Sequence, residues 1–304
     1  MATAHNTQNT VVLVTGCTQG GIGYGLCCEF AQRGCTVYAT ARRIEAMSDL
    51  QALGIKTLKL DVTDKASIIN AVKEVLAAEG HIDILVNNAG MSCTAPLLDQ
   101  DLDAARRVYE TNVWGPLAVA QAVAPSMMTR RAGTIVNVGS IVGHCATPWS
   151  GVYSSSKAAI HAWTNSMRVE LRPYGVNMTL VYPGSIQSNI AQNAQQRFEW
   201  KEDSLFEPYK KSVLHRMVIS QAPGCTTTKD FCRYVIPRIL RASPPQEIYY
   251  GTLSTKFWLL SFLPVFIKVR TAACDAPAYR TADAYLYALG LYIWQKVWTS
   301  WHRR

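Results

Sequence analysis

A chain of 304 residues, 49% of them hydrophobic and without a low-complexity run, is long enough to bury one large core and excludes a disordered or repeat-built protein. Nine scattered cysteines with no C-x-x-C pair, and six unclustered histidines, exclude a disulfide framework and predict no metal. The formal charge of +9 is concentrated towards the C-terminus, with no basic stripe elsewhere, so no nucleic-acid partner is expected.

The first element is Val11-Val-Leu-Val-Thr15, a short apolar run that predicts a buried parallel strand. It runs into Gly16-Cys-Thr-Gln-Gly20-Gly21-Ile22-Gly23, and residues 24–33 follow with apolar side chains at helical spacing. Strand, glycine-rich turn and helix is the context of a dinucleotide site. Glycines let backbone approach a pyrophosphate, and a helix start offers unpaired N–H groups. Thr36-Val-Tyr-Ala-Thr-Ala predicts a second strand that ends in Arg42 and Arg43. Leu58-Lys-Leu-Asp61 predicts a third, and Ile82-Asp-Ile-Leu-Val-Asn87 a fourth, followed by Asn88-Ala-Gly90. A helix is expected over 102–128, a fifth strand over 134–138, a helix over 153–171 and a sixth strand over 177–182. Residues 186–222 lack a strand pattern and are expected to form a substrate lid. A helix over 227–241 and a strand over 247–250 complete the alternation. Such alternation predicts a doubly wound, mostly parallel α/β sheet with helices on both faces.

Tyr153 and Lys157 sit at i and i+4 of the predicted 153–171 helix and so share one face. A free phenol titrates near about 10 and is a poor proton donor at neutral pH. A fixed ammonium favours phenolate, and lowering the pKa to about 7 takes roughly 4 kcal/mol, within reach of close charges in a dry cleft. Tyr153 is therefore a candidate general acid/base tuned by Lys157, with Ser140 thirteen positions upstream.

The glycine loop, Asn88-Ala-Gly90, Asn112, Ser140, Tyr153-x-x-x-Lys157 and Pro183-Gly184 together resemble the short-chain dehydrogenase/reductase family over residues 10–250. The loop has one residue more than the family's usual spacing, as in fungal acyldihydroxyacetone-phosphate reductases and secondary-metabolism reductases. More distantly, the chain is similar to 17β-type hydroxysteroid dehydrogenases. The resemblance implies a Rossmann-type catalytic unit over 1–250 and an extension over 251–304. It implies a catalytic set of Asn112, Ser140, Tyr153 and Lys157. Gly16, Gly21, Ile22 and Gly23 are expected around the cofactor diphosphate, Thr18 as a hydroxyl contact to the phosphate beyond the second strand, Asp61 at the adenine amino group, and Asn88 to Gly90 along the ribose and diphosphate. Ile186 and Ser188 are expected at the nicotinamide carboxamide, and Tyr153 and Lys157 also touch the cofactor.

Cofactor choice follows from charge. No acid stands directly after the second strand to hold ribose hydroxyls; Arg42 does, and a guanidinium suits a 2′-phosphate where a carboxylate would repel it. NADP(H) is expected, with Arg42 rather than Arg43 as the contact. The resemblance then implies hydride transfer from NADPH to a carbonyl while Tyr153 protonates the oxygen. Ser140 would stabilise the developing charge, Lys157 bind the ribose, and Asn112 hold a relay water. His144 is expected to line the pocket or merely pack.

Phe198, Trp200, Phe206 and Tyr209 in the lid suggest a hydrophobic ketone or alcohol, lipid-like or polycyclic; alternatively they only pack the lid. Other readings are an alcohol or steroid-type dehydrogenase running oxidatively, and a nucleotide-sensing scaffold without turnover. Residues 256–304 carry seven Lys/Arg against two Asp and four of the eight tryptophans. An apolar run over 257–267 and an aromatic stripe at Tyr287, Leu291, Trp294, Trp298 and Trp301 suit a headgroup boundary, but neither reaches the roughly 20 residues of a membrane span. Contact with a membrane or lipid droplet is one expectation, and cover for the cleft or a partner subunit the other. With no signal peptide and an odd cysteine count, an intracellular protein is expected, cytoplasmic or attached to endoplasmic reticulum or lipid droplet, as a homodimer or homotetramer.

Overall fold

The computed structural model describes residues 9–145 and 147–274. Seven strands form one parallel sheet: β1 (Val11–Thr15), β2 (Thr36–Ala41), β3 (Lys56–Lys59), β4 (Ile84–Asn87), β5 (Gly133–Val138), β6 (Val176–Pro183) and β7 (Glu247–Tyr250). Their order is β3-β2-β1-β4-β5-β6-β7, all neighbours parallel. Every residue of β1 is buried because both faces of the sheet are covered. Successive side chains alternate between those faces. Val12 and Val14 pack with Leu26, Phe30, Phe231 and Val235 of helices α1 (Ile22–Gln32) and α9 (Thr228–Ile239). Val11 and Leu13 face the opposite layer, with Val72 and Val75 of α3 (Lys65–Glu79) and Val119 and Val123 of α5 (Gly115–Arg130). The short α2 (Ser48–Gln51) links β2 to β3.

Strand order reverses between β1 and β4, since β1 pairs with β2 on one side and β4 on the other. In an open parallel sheet that reversal leaves a crevice outside the carboxyl ends of the strands.

Two expected elements differ. The helix expected over 102–128 is divided into α4 (Leu102–Tyr109) and α5 by a π-helical turn, Glu110–Trp114, which contains Asn112. α5 starts close against β3's following loop: a Cβ on Gly115 would lie 2.8 Å from Val62. The segment 186–222, expected as a lid without regular pattern, contains α7 (Ile190–Gln195) and α8 (Lys210–Val218), which pack on each other. They are too short for a clear helical period to show. α6 (Gly151–Leu171) carries the tyrosine and lysine as expected. Beyond β7, α10 (Ser254–Ser261) and α11 (Val265–Cys274) are separated at Pro264. The aromatic stripe from Tyr287 to Trp301 lies outside the described residues.

Candidate active site

The crevice is a cavity of about 630 Å³. Its floor at β1 is the glycine loop. Gly16 takes a positive φ of 74°, and a Cβ there would lie 2.7 Å from Ala89 Cα, so only glycine lets the loop after β4 come this near. The Asn88 amide donates to the carbonyls of Thr15 (2.9 Å) and Gly16 (3.1 Å), while Thr15 Oγ1 accepts from Asn88 N and Ala89 N. Gly20, also at positive φ, absorbs the loop's additional residue, and Asn189 closes over it by donating to Gln19 O at 2.8 Å. Gly16, Thr18, Gly21, Ile22, Arg42, Asp61, Asn88, Gly90, Ile186 and Ser188 all line the cavity. Gly23 does not. A Cβ at Gly23 would collide with the Asn88 amide and the Gly16 carbonyl, so that glycine serves packing beneath the loop. Arg43 is likewise off the wall, whereas Arg42 is on it. Glycines bare of Cβ at the start of α1, with a guanidinium at the end of β2, fit a phosphorylated dinucleotide.

Ser140, Tyr153 and Lys157 line the same cavity. Ser140 caps a 3₁₀ turn, Ile141–Gly143, accepting from Val142 N at 3.4 Å. Its backbone N–H donates to His161 Nε2 at 3.3 Å. Burial first, then the charges of His144 and Lys157, bring His161 down to about 3, so its ring is neutral. Lys157 Nζ donates to Val138 O at 2.8 Å, and burial lowers its pKa to about 8. Asn112 is fully buried. Its amide donates to Met91 O (2.8 Å) and Ser156 Oγ (3.0 Å), and its Oδ1 accepts from Met91 N (2.8 Å). Gly90 lies between Asn112 and Lys157: a Cβ there would sit 3.4 Å from Asn112 Oδ1 and 3.6 Å from Lys157 Nζ. Asn112 thus pins the loop after β4 beside the lysine, and does not itself reach the cavity wall.

Residues 10–199 match the family described as short chain dehydrogenase. The chain belongs to that family. It is 34% identical over 268 residues to the NADPH-dependent 1-acyldihydroxyacetone phosphate reductase of Schizosaccharomyces pombe, covering 84% of this chain and 90% of that protein. Among solved structures, a short-chain dehydrogenase from Streptomyces avermitilis superposes with a TM-score of 0.74 at 26% identity, over 88% of this chain and 96% of that one. A Burkholderia cenocepacia short-chain dehydrogenase in complex with NADP gives a TM-score of 0.66 at 26% identity, over 84% and 93%.

This short-chain dehydrogenase carries cavity cations that the sequence reading missed: Arg107, Arg197 and Arg216. Arg216, near the end of α8, lines the wall, and its charge acts on Tyr153. Burial pushes the Tyr153 phenol above its ordinary value, and the Ser140 hydrogen bond and the Arg216 charge pull it back, rather than Lys157 bringing it down as expected. Helical periodicity in a polar segment gives no sign of which residue will turn inward. The lid aromatics, by contrast, pack on protein. Trp149 meets Phe206 edge-on at 5.9 Å and stacks with Tyr209 at 6.1 Å, and neither Phe198 nor Trp200 reaches the cavity. His144 also packs: it stacks on Tyr182 at 4.7 Å, and its Nε2 hydrogen-bonds the Tyr249 hydroxyl at 3.1 Å. The apolar part of the wall comes instead from Met91, Ile141, Val142 and Met217. In the loop after β4, Met91 lines the cavity and Cys93 does not.

Proposed function

We propose that this protein reduces a ketone on a hydrophobic substrate, lipid-like, polyketide or terpenoid, with NADPH as reductant and Tyr153 as general acid. The observation that carries this reading is the meeting of Ser140, Tyr153 and Lys157 on a cavity wall that also holds Arg42 and Asp61. The glycine loop and the start of α1 suit a diphosphate, Arg42 suits a 2′-phosphate, and Ile186 and Ser188 suit the nicotinamide carboxamide. Bound there, the reduced nicotinamide supplies the hydride that reaches the carbonyl carbon. Tyr153 gives its proton to the oxygen, and Ser140 donates a hydrogen bond to the same atom as negative charge builds on it. Lys157 holds the nicotinamide ribose and stabilises the phenolate that remains. Asn112 keeps the Met91 loop in place beside Lys157 and joins the path by which Tyr153 regains its proton.

The same groups run the reverse oxidation with Tyr153 as base, but a cellular NADP pool kept mostly reduced favours reduction. An intact catalytic set argues against a scaffold without turnover. The test is loss of NADPH absorbance across a panel of long-chain and polycyclic ketones. Ketone-dependent oxidation of NADPH, slower with NADH, is expected; no dependence on any ketone contradicts the reading.

Residues 1–250 form the catalytic unit in this reading, and 251–304 an extension whose Phe257 packs on Ile141 and Tyr182. α10 and α11 expose Phe262 (70%), Val265 (71%) and Phe266 (53%) near Lys268. No described helix is long and apolar enough to cross a membrane. This patch rests at the headgroup boundary of a membrane or lipid droplet. Triple replacement by Ser of Trp258, Phe262 and Phe266 should remove flotation with anionic vesicles; unchanged flotation contradicts attachment there. The protein acts as a homodimer or homotetramer, which sedimentation velocity tests.

A further inference from the structure

Arg216 is a half-buried cation on the cavity wall that reduction of a carbonyl does not require. It stands one residue before Met217 and three after Val213, both buried, in the turn of α8 that covers the cleft. Its neighbours on the cavity wall include Met217 and Ser220. Its Nε is buried without a hydrogen-bond partner. None of the ion pairs among the described residues involves it. The one group whose charge would favour its ionised form is the Tyr153 phenol, and that phenol is held protonated by burial. An Nε–H buried without an acceptor is costly, and the planar fork of a guanidinium matches the paired oxygens of a carboxylate or phosphate.

We propose that Arg216 anchors an acidic group of the ketone substrate, a carboxylate or phosphate placed beside the reacting carbonyl. The preferred substrates are then amphiphilic: an apolar body along Ile141, Val142 and Met217, and one anionic group on the guanidinium. This deepens the reductase reading and rests on it. It also replaces the lid aromatics as the guide to the substrate, since Phe206 and Tyr209 pack on Trp149 and none of the four rings lines the cavity. The cofactor's own phosphates are the competing anions. They have the glycine loop and Arg42, whereas Arg216 is coupled to Tyr153 at the site of chemistry.

The test compares a long-chain 4-oxo carboxylate, its methyl ester and the matching oxoalkyl phosphate as substrates of the full-length protein and of Arg216→Gln and Arg216→Lys. The wild type should favour an acid over the ester by about 100-fold in kcat/KM, and Arg216→Gln should collapse that ratio to within about 3-fold, chiefly through KM. Arg216→Lys should recover part of the ratio, which also guards against a packing defect in the glutamine variant. The carboxylate and phosphate arms tell which oxyanion fits. Calorimetric titration of the NADP-loaded protein with octyl phosphate, against octanol, reads the anchor without turnover. Binding of octyl phosphate should require Arg216. Equal kcat/KM for acid and ester in the wild type overturns the proposal. So does an equal loss on both substrates in Arg216→Gln, which would confine Arg216 to tuning Tyr153, or a weakened NADPH affinity, which would assign it to the cofactor. If no ketone is reduced yet octyl phosphate still binds through Arg216, the reductase reading fails and the anion site stands.

Discussion

Lys157 donates from Nζ to the carbonyl of Val138 at 2.8 Å, and the same ammonium stands 5.8 Å from the centre of the Tyr153 ring. The side chain is 4% exposed, and burial brings its pKa down to about 8. An unfolded lysine titrates near about 10.4. Between those values the unfolded chain holds a proton that the folded chain does not, so stability rises with pH through that window, and the full penalty is present at pH 7. Lys157→Met should therefore abolish turnover and yet stabilise the fold at neutral pH by about 1–3 kcal/mol, after the lost hydrogen bond is discounted. Urea unfolding at pH 7 and again above pH 10 checks this, because the gain should vanish at the higher pH. A variant less stable than wild type at pH 7 would contradict it.

His161 presents the opposite face of the same linkage. Buried neutral, with a folded pKa of about 3, it accepts from the Ser140 backbone N–H. Between about 6.5 and 3 the unfolded chain takes up a proton that the folded ring refuses, so stability falls as pH drops through that range, by up to about 4 kcal/mol. Urea midpoints from pH 7 to pH 4 should decline steeply in the wild type and more gently in His161→Gln. Parallel slopes would mean that the histidine is not the group being titrated.

Arg42 and Arg43 are adjacent in sequence but only Arg42 lines the cavity. Arg42→Ala should lower kcat/KM with NADPH by about 10–100-fold and leave NADH within a few-fold, since one charge-assisted fork to a 2′-phosphate is lost. Arg43→Ala should do neither. Equal losses with both cofactors would detach Arg42 from the phosphate.

The parts of this protein that were legible in its sequence are those encoded by contiguous residues. β1, the glycine loop and the Tyr153–Lys157 pair need only a strand, a turn and one helical face, and local pattern specifies each. β7 follows likewise from Ile248-Tyr-Tyr250, a strand-favouring run shortly after two prolines. What stayed hidden depends on packing between distant segments. Nothing local marks the π-helical turn at Asn112, which follows from α4 and α5 meeting the loop after β4. Arg216 faces the cleft because α8 docks over it, while Phe206 and Tyr209 just before it turn to Trp149. At Gly23, expected near the diphosphate, a Cβ would also meet the Asn88 amide, a constraint set by a segment far away in sequence.

The central claim is that Tyr153 supplies the proton. Its most direct measurement is single-turnover oxidation of NADPH by the best ketone with wild type and Tyr153→Phe at saturating cofactor. The account predicts a rate at least about 1,000-fold lower in the variant, with NADPH affinity within a few-fold of wild type, because a positioned acid accelerates by about 10²–10⁴. A variant that turns over within about 10-fold of wild type would show that the proton comes from elsewhere.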